Sequence, residues 1–552
     1  MKGETQMKKA ILKPAALLIS LALILSIFAP AAFAQDTDET IITFSDSGAS
    51  VSGTSDGLTV KGTNVKVNAS GTYRFKGSCS NGSIVVKKSV TGVTLILDNL
   101  TLSASATAPI TCNKGTEVNI VAAAGSVNTL ADDQYNNDDV YTDETTYPDI
   151  ENAVIKCKDG SNVVISGTGT INVNAYGKNG IKGGCDLYEE DDDGNATDTL
   201  LSTASLTIKD VTLNVNIKHS YKDPDDANSY DGDAIKSDKE LNILSGNITA
   251  AANDDGIKCD YTLNIGAQGT AGPTIKVTKA AEGIEGAVVN VYSGNVYVTA
   301  SDDGINAANG DIADRSADFS YNQFGGYVYV NVTNGDGIDS NGSASLSGGT
   351  LEVYSPSQGD GDPIDTEYGC TFGGATVLAV GHNAMMQSYT AKTPYVTFGS
   401  SSGGFPGGPG RNSMQSDNSS DAFGGNSATT LVKSGSTIKI KDSSGNTLYT
   451  ATAVRDASYI VFASATLTSG TTYTLYSNGS QVATASATNS SSGGQSGQPG
   501  QPGQPGEKPG QESGSDDNSN QDNESLFQKI IAFFSSVWSW IVSTISKITA
   551  LF

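Results

Sequence analysis

The middle of the chain repeats a short alternation of apolar and polar positions. Residues 241–243, 263–265 and 289–291 share the order apolar, Asn, apolar, and a second alternating segment such as Val296-Tyr-Val298 follows each of them after a turn. Because side chains alternate across a strand, we expect the apolar residues to face a core and the asparagines to face outward. The pattern therefore predicts short strands whose order recurs along the chain.

An acidic residue two positions before an isoleucine recurs six times between residues 233 and 365. The intervals between the isoleucines are 22, 27, 21, 33 and 26 residues, close to one period with loop insertions. Repeats of this length built from short strands are typical of a solenoid. We therefore predict an all-β fold, a right-handed parallel β-helix with three strands a turn and a small C-terminal β cap. A β-sandwich is the alternative, but it would not explain why the same segment order recurs.

The six acids form what we term the acid ladder: Asp233, Asp255, Glu282, Asp303, Asp336 and Asp362. Stacked repeats place equivalent residues about 4.8 Å apart, so these carboxylates would repel one another unless cations lie between them. Any single Asp-Gly pair could equally be an ordinary turn.

The position after each isoleucine, which we term the outer row, changes character along the chain. It holds Lys236, Lys258, Glu285, Asn306, Asp339 and Asp365 in turn. The lysines could neutralise the first two copies by ion pairing, whereas the last copies add acid to acid. Calcium accepts such oxygen ligands in flexible numbers. The predicted calcium ligands are Asp233, Asp255, Glu282, Glu285, Asp303, Asp336, Asp339, Asp362 and Asp365.

Two positions after each isoleucine, small residues predict an inward stack that includes Cys112 and Cys157. The six cysteines of the chain allow either free structural thiols or a disulfide between these two residues. The chain has only two histidines and lacks metal-type cysteine spacings, which argues against a zinc site or a Ser-His-Asp triad.

The termini predict an exported protein. Residues 1–34 have the lysines, the apolar run and the Ala-x-Ala end of a signal peptide. Removing them removes a net charge of +3, so −26 becomes −29, which argues against nucleic acid as a partner. Residues 525–552 predict an amphipathic helix that anchors the protein to a membrane or binds a partner helix. The expected location is secreted and associated with the cell surface.

The remaining predicted boundaries follow composition. Residues 35–398 carry the β-helix, 399–425 form a Gly-rich loop, and 426–488 form the β cap. Residues 489–524, with Gln-Pro-Gly repeats, are expected to be a disordered linker.

The repeated Asp-Gly-Ile segments, the run at 348–356 and the run at 467–476 resemble a family of bacterial extracellular carbohydrate-binding β-helix proteins with polysaccharide-lyase-like topology. The resemblance covers about residues 40–485. It implies a calcium-loaded protein that binds cellulose or acidic sugars such as polygalacturonate without catalysis, with the metal at the acid ladder. The chain departs from the pattern at Glu282, at Pro363 and in its long acidic insertions.

Sugar recognition needs aromatic faces beside polar groups. Tyr297 and Tyr329 occupy equivalent outward positions beside Lys276 and Glu352, so these four residues are the predicted carbohydrate platform. Stacked aromatics that stabilise the solenoid face without a ligand are the structural alternative.

Two other functions stay open from the sequence. A pectate or uronate lyase would combine calcium with a lysine base, for which Lys258 and Lys236 are candidates. Ion pairing to Asp255 and Asp233 would instead raise the pKa of these lysines. The third possibility is a calcium-stabilised surface spacer or adhesin.

Overall fold

The computed structural model describes residues 39–143, 145–191, 195–221, 231–309, 319–359, 361–382, 389–399 and 429–491. These residues form strands, turns and loops and contain no helix, so the fold is all-β as predicted. In this part of the chain no helix is long and apolar enough to cross a membrane. The predicted signal peptide, nearly all of the Gly-rich loop and linker, and the predicted helix at 525–552 lie outside the described residues.

The strands of the described residues are short. The first ten in chain order are β1 (Thr40–Ser45), β2 (Gly48–Ser52), β3 (Leu58–Lys61), β4 (Asn64–Val67), β5 (Gly71–Cys79), β6 (Ser83–Val86), β7 (Val93–Ser103), β8 (Ile110–Cys112), β9 (Glu117–Ala122) and β10 (Val127–Ala131). The next ten are β11 (Ala153–Cys157), β12 (Asn162–Gly167), β13 (Thr170–Ala175), β14 (Asn179–Gly183), β15 (Leu187–Glu190), β16 (Ala196–Ser202), β17 (Ser205–Ile208), β18 (Thr212–Ile217), β19 (Ile235–Ser237) and β20 (Glu240–Ile243).

The third ten are β21 (Asn247–Ala251), β22 (Ile257–Ile265), β23 (Thr274–Lys279), β24 (Ile284–Val291), β25 (Asn295–Ala300), β26 (Ile305–Ala307), β27 (Ser320–Gln323), β28 (Tyr327–Val332), β29 (Ile338–Ser340) and β30 (Ser343–Leu346). The last ten are β31 (Thr350–Tyr354), β32 (Cys370–Phe372), β33 (Thr376–Gly381), β34 (Tyr389–Ala391), β35 (Tyr395–Phe398), β36 (Thr437–Lys441), β37 (Thr447–Thr452), β38 (Tyr459–Ala463), β39 (Thr472–Ser477) and β40 (Ser480–Ser486).

Thirty-four of these strands belong to one mostly parallel sheet. Parallel pairing links each strand to the equivalent strand one repeat later, which sorts the strands into three lanes. Lane A contains β4, β6, β8, β11, β14, β19, β22, β24, β26 and β29. Lane B contains β5, β7, β9, β12, β17, β20, β22, β24, β27, β30, β32 and β34. Lane C contains β7, β10, β13, β18, β21, β23, β25, β28, β31 and β33.

The core is a stack of identical positions. In lane A, the isoleucines of successive repeats are register partners, as in Ile235 with Ile257 and Ile305 with Ile338, and all four are fully buried. Burying one such side chain contributes about 1.5–3 kcal/mol, so the stack is a main source of stability. The small residues two positions later are also buried, as the sequence predicts.

Asparagines form a second stack on the outer side of lane B. The Nδ2 group of Asn264 donates to Oδ1 of Asn242 at 3.0 Å, and Asn290 donates to Asn264 at the same distance. Asn322 continues the series by donating to Asn290 at 3.2 Å. The alternation that predicted outward asparagines is therefore confirmed, and their amides link four successive repeats.

All six cysteines are free thiols in the structure. Cys112 and Cys157 are register partners in lane A and are buried, which is the inward stack predicted for them. A hydrogen bond to Cys157, together with burial, raises the pKa of Cys112 well above its ordinary value. Both residues therefore act as small core side chains.

The C-terminal strands close one end of the large sheet. β38 pairs antiparallel with β33 and β35, while β36, β37, β39 and β40 form a separate four-stranded antiparallel sheet. A second hydrophobic core joins the two, and it includes Leu378, Phe398, Ile440, Phe462 and Leu475.

The glycines of the acid-Gly-Ile segments are required by close approach of neighbouring repeats. A Cβ atom on Gly304 would lie 2.1 Å from Cγ1 of Val330 and 2.5 Å from the carbonyl oxygen of Gly337. Gly256, Gly283 and Gly337 meet the next repeat in the same way. None of these four glycines has a positive φ, so the explanation is packing rather than turn geometry.

Replacing one of these glycines is expected to destabilise the fold. Gly304→Ala forces a methyl group against backbone, which costs about 1–3 kcal/mol or more and lowers the melting temperature. Gly373→Ala is the control, because its Cβ would come no closer than 3.3 Å to another atom, the Cα of Ser347. Differential scanning calorimetry of both variants checks this, and equal melting temperatures would contradict it.

Candidate metal ladder and adjoining cleft

The acid ladder lies immediately before the strands of lane A, and several of its carboxylates accept hydrogen bonds from the backbone of the next repeat. The backbone N–H of Asp255 donates to Oδ1 of Asp233 at 3.2 Å, and the N–H of Asp336 donates to Oδ1 of Asp303 at 2.6 Å. The N–H of Asp362 donates in the same way to Asp336. One carboxylate oxygen thus holds the next repeat in register, and the other oxygen is left for another partner.

The structure brings together two groups of acids in the earlier repeats. Carboxylate oxygens lie within 4.8 Å of one another in each group, and both groups share one aspartate. The first consists of Asp233, Asp254 and Asp255, and the second of Asp255, Glu282 and Glu285. Lys258 lies among them, with Nζ 3.2 Å from Oδ2 of Asp255 and 2.8 Å from Oε2 of Glu285. A lysine ammonium therefore already supplies a positive charge at these groups.

The two lysines considered as bases are held in their charged form. Burial lowers the pKa of Lys258, but the carboxylates of Asp255, Asp233 and Glu285 outweigh it and raise the pKa well above its ordinary value. The pKa of Lys236 is raised as well, because Asp233 and Asp260 outweigh the effect of burial. A base must be unprotonated near the working pH, so this environment argues against either lysine in that role.

A third group of acids lies in the last repeats. The carboxylates of Asp336, Asp339 and Asp365 approach one another within 4.8 Å. Burial, followed by the charges of Asp303 and Asp365, raises the pKa of Asp339 to about 7. Burial and the same two charges raise the pKa of Asp336 to about 8, although a backbone hydrogen bond opposes the shift. The outer-row position that holds lysine in earlier repeats holds aspartate in these, so this group fits a cation best.

Two oxygens near the second group lack a hydrogen-bond donor among the described residues. They are Oδ1 of Asp255 and Oδ1 of Asn306, and both side chains are buried. The Nδ2 group of Asn306 donates to Oε2 of Glu282 at 3.0 Å. Burial and the charge of Glu285 raise the pKa of Glu282 to about 8. Buried oxygens without donors are costly, and a bound cation would satisfy them.

A cleft of about 820 Å³ adjoins the C-terminal end of the ladder. Asp303 and Asp336 line one side, and Arg455, which lies between β37 and β38, lines another. The Nε group of Arg455 donates to Oδ1 of Asn331 at 2.9 Å, and burial lowers the pKa of its guanidinium. Within the described ranges Arg455 has no carboxylate partner, so its remaining donors are available to an anionic ligand.

Sequence reasoning missed Arg455. The residue lies far from the acid ladder along the chain and outside every repeat, so no periodic pattern marks it. The one feature of the sequence that could have drawn attention to Arg455 is the scarcity of arginine, because the chain has only four.

The four residues of the predicted carbohydrate platform lie next to one another in the structure, but some of them already contact other parts of the protein. Tyr297 and Tyr329 are register partners with ring centroids 6.3 Å apart, and Tyr297 is 38% exposed. Lys276 is the register partner of Tyr297, and Glu352 that of Tyr329. Tyr329 also packs on the second hydrophobic core.

Glu352 is the most heavily used member of this platform. Its carboxylate accepts hydrogen bonds from the hydroxyls of Tyr327 at 3.3 Å and Tyr449 at 3.1 Å, and from the hydroxyl of Tyr354. Glu352 thus joins lane C to the four-stranded sheet.

Comparison with known proteins confirms the resemblance to carbohydrate-binding proteins. Residues 61–193 match the family described as carbohydrate-binding domain-containing protein. A curated protein of that description from Acetivibrio thermocellus is 30% identical over 156 residues, which are 28% of this chain and 48% of the relative. The chain thus spans about half the length of this curated relative. The segment matched by the family model ends before the acid ladder begins.

A solved structure also matches the chain. The polysaccharide lyase-like protein from C. thermocellum, in a gadolinium derivative, is 21% identical with a TM-score of 0.32. The alignment covers 61% of this chain and 96% of that chain.

The raised pKa values predict how stability depends on pH. An acid whose folded pKa exceeds its unfolded value, near 4, stabilises the fold fully below that value and loses this contribution as pH rises through the folded pKa. For Glu282, Asp336 and Asp339 the folded values are about 7–8. In a chelator, the melting temperature is therefore expected to fall between pH 5 and 9. Added calcium is expected to restore stability most strongly at the alkaline end, where protons no longer compete with the metal.

A paired variant separates this effect from general acidity. Asp336→Asn with Asp339→Asn is expected to flatten the pH dependence in the chelator and to reduce the response to calcium. Asp198→Asn, on the exposed strand β16, serves as the control. Calorimetric scans across the pH range make the measurement, and a melting temperature that rises with pH in the chelator would refute the prediction.

Proposed function

We propose that this protein is a secreted, surface-tethered, calcium-binding protein that binds acidic polysaccharide without catalysis. The observation that carries the proposal is the cleft that Asp303 and Asp336 line together with Arg455, which has no carboxylate partner among the described residues. Such a cleft offers an acidic sugar two positive partners, a bound calcium ion and Arg455.

We infer that the large sheet winds as a right-handed parallel β-helix. The support is the register, because each strand pairs in parallel with the strand one repeat later in all three lanes. Parallel connections are right-handed in nearly all proteins. This winding would hold the acid ladder in a straight row along one side.

Calcium fits the residues present. Asp336, Asp339 and Asp365 would hold the ion, with Asp303 beside them, and carboxylate oxygens are ligands that calcium prefers. When bound, the ion would neutralise the group and attract the carboxylate of a uronic acid. The earlier groups contain Lys258, so they are weaker candidates.

An acidic sugar fits the cleft better than a neutral sugar does. A guanidinium forms paired hydrogen bonds to a carboxylate, and hydrogen bonds to charged groups contribute about 1.5–3 kcal/mol. The curated relative from Acetivibrio thermocellus is described as carbohydrate-binding, which supports a polysaccharide as the partner. Polygalacturonate, a uronic acid polymer, is the representative ligand.

Binding without catalysis is favoured because Lys258 and Lys236 are held protonated by their carboxylate neighbours. Export and attachment to a surface rest on residues 1–34 and 525–552, whose sequence has the features of a signal peptide and an amphipathic helix.

Retention of the full-length chain on immobilised polygalacturonate is expected in calcium and is expected to be lost in a chelator. Arg455→Gln and Asp339→Asn are each expected to weaken binding about tenfold or more. The first change removes the guanidinium that would pair with the uronate carboxylate, and the second removes a ligand of the proposed calcium ion. Lys66→Gln, on the exposed outer side of β4, is the charge-matched control and is expected to bind normally.

The ultraviolet absorbance of unsaturated uronate, recorded in the same experiment, separates the alternatives. A growing absorbance would identify a lyase. If polygalacturonate is not retained while calcium still raises the melting temperature, the protein is a calcium-stabilised spacer or adhesin and the proposed function is wrong.

A further inference from the structure

A lysine and two aspartates from three separate segments meet beside the early repeats. Asp139 lies between β10 and β11, Lys178 between β13 and β14, and Asp231 shortly before β19. The strands β11, β14 and β19 are successive neighbours in lane A. The three residues therefore come from three consecutive repeats, and we term them the lysine–aspartate triad.

Each member of the triad contacts the other two. The Nζ atom of Lys178 contacts Oδ2 of Asp139 directly and lies 3.5 Å from Oδ2 of Asp231. The carboxyl groups of Asp139 and Asp231 are hydrogen-bonded to each other, which requires a proton on one of them. The side chains of Lys178, Asp139 and Asp231 are only 20%, 27% and 16% exposed. An amine, a carboxyl group and a neighbouring acid are thus held together away from most of the solvent.

The backbone on both sides of the contact between Lys178 and Asp139 is fixed by hydrogen bonds. The Oδ1 atom of Asn137 accepts the backbone N–H of Asp139 at 3.0 Å, and its Nδ2 group donates to the carbonyl oxygen of Gly177 at 3.1 Å. Asn137 is fully buried, so one side chain joins the segment of Asp139 to the residue before Lys178. The carbonyl oxygen of Lys178 also accepts a hydrogen bond from Nε2 of His219 at 2.9 Å. Both reacting side chains therefore extend from ordered backbone.

The charge state of Lys178 is compatible with a reaction that happens once. Burial lowers the pKa of Lys178, but the carboxylates of Asp231 and Asp139 outweigh it and raise the pKa above its ordinary value. The neutral amine is therefore a minor species, which would disable a base that must act at every turnover. An amine that reacts once in the life of the molecule has no such requirement. Burial also reduces the cost of moving a proton from the ammonium to a carboxylate, because both products are neutral.

We propose that Lys178 and Asp139 form an intramolecular amide bond in the folded protein, without a cofactor or another enzyme. The ammonium of Lys178 gives one proton to the neighbouring carboxyl groups, and the resulting amine attacks Cγ of Asp139. The Nζ–Cγ bond forms and one Cγ–O bond breaks, so that the oxygen leaves as water with the two protons that the nitrogen has given up. Asp231 passes a proton to the departing oxygen and ends the reaction in the state in which it began. The bond needs neither calcium nor a sugar, so it is independent of the proposed function.

Two physical effects drive this condensation in water. Groups that are held in reactive contact behave as if present at about 10⁵–10⁸ M, which offsets the tendency of water to hydrolyse the product. The new bond also closes the loop between residues 139 and 178, and a cross-link of this kind stabilises a fold mainly by constraining the unfolded chain. The bond would attach the acidic segment between β10 and β11 covalently to the following repeat.

The test is mass spectrometry of the full-length chain, folded and then denatured and digested. The intact chain is expected to be lighter than its sequence by the mass of one water molecule. Trypsin does not cut after an acylated lysine, so digestion is expected to give residues 115–156 joined to residues 159–182. Lys178→Arg keeps the positive charge but removes the nucleophilic amine. This variant is expected to show the unmodified mass and a lower melting temperature.

Two controls separate the bond from an ordinary ion pair. In the same molecule, Nζ of Lys433 lies 2.7 Å from Oδ2 of Asp456, but these side chains are 70% and 38% exposed. Lys433 and Asp456 are expected to appear in separate peptides. Asp231→Asn keeps the size of the side chain and removes its acid, and it is expected to leave most of the chain without the bond.

Separate peptides 115–156 and 159–178, from a chain that melts cooperatively, would overturn the proposal. A loss of water located at an Asp-Gly pair such as Asp159-Gly160 would also overturn it, because that loss reports a succinimide. An undiminished yield of the bond in Asp231→Asn would contradict the role of Asp231. Lys178→Arg is expected to be retained on polygalacturonate in calcium like the unchanged chain, so the outcome for this bond and the outcome for the proposed function are read separately.

Discussion

The fold depends on one constraint, the in-register parallel pairing of equivalent strands. It places equivalent residues of successive repeats about 4.8 Å apart. Each position must therefore hold a residue that is stable in contact with a residue of the same type. Isoleucine tolerates this because its copies exclude water together. Asparagine tolerates it because the amide of one residue donates to the carbonyl of the next, as in Asn264 with Asn242. Stacked carboxylates, in contrast, repel one another unless a positive charge or a proton lies between them.

The outer row shows how the charge conflict changes along lane A. Lys156, Lys182, Lys236 and Lys258 are successive register neighbours, and Glu285 follows them. At the basic end, burial and then the charge of Lys182 lower the pKa of Lys156 to about 8. At the junction, Lys258 pairs with Glu285 and Asp255. Beyond the junction the outer row supplies asparagine and aspartate, so the excess negative charge of the last repeats needs an external cation or protons.

The repeating part of this structure could be predicted from sequence, because local alternation and period determine both the strands and their register. The same reasoning placed Asp336, Asp339 and Asp365 near one another. It did not explain the glycines: an ordinary turn was the alternative for any single Asp-Gly pair, but Gly304 is required by contact with Val330 and Gly337 of the following repeat. That contact depends on how closely two repeats approach, which no single repeat encodes.

The Arg455 side of the cleft also escaped prediction, because it comes from a segment that follows the repeats. Arg455 lies far from Asp303 and Asp336 along the chain, yet it lines the same cleft. Glu352 was expected at a sugar surface, yet three tyrosine hydroxyls from lane C and the four-stranded sheet converge on it. Such tertiary contacts between distant segments do not repeat along the sequence, so a periodic pattern cannot predict them.

The acidity of the chain, with a net charge of −26 for the full sequence, sets a physical requirement for the proposed acidic-sugar site. A protein so acidic repels a uronic acid polymer at distances up to about a Debye length, roughly 8–10 Å at ordinary ionic strength. Asp303 and Asp336 line the same cleft as Arg455, so the proposed calcium ion would reduce this repulsion when an acidic sugar approaches. The proposed dependence of acidic-sugar binding on calcium would therefore follow from the acidity of the chain.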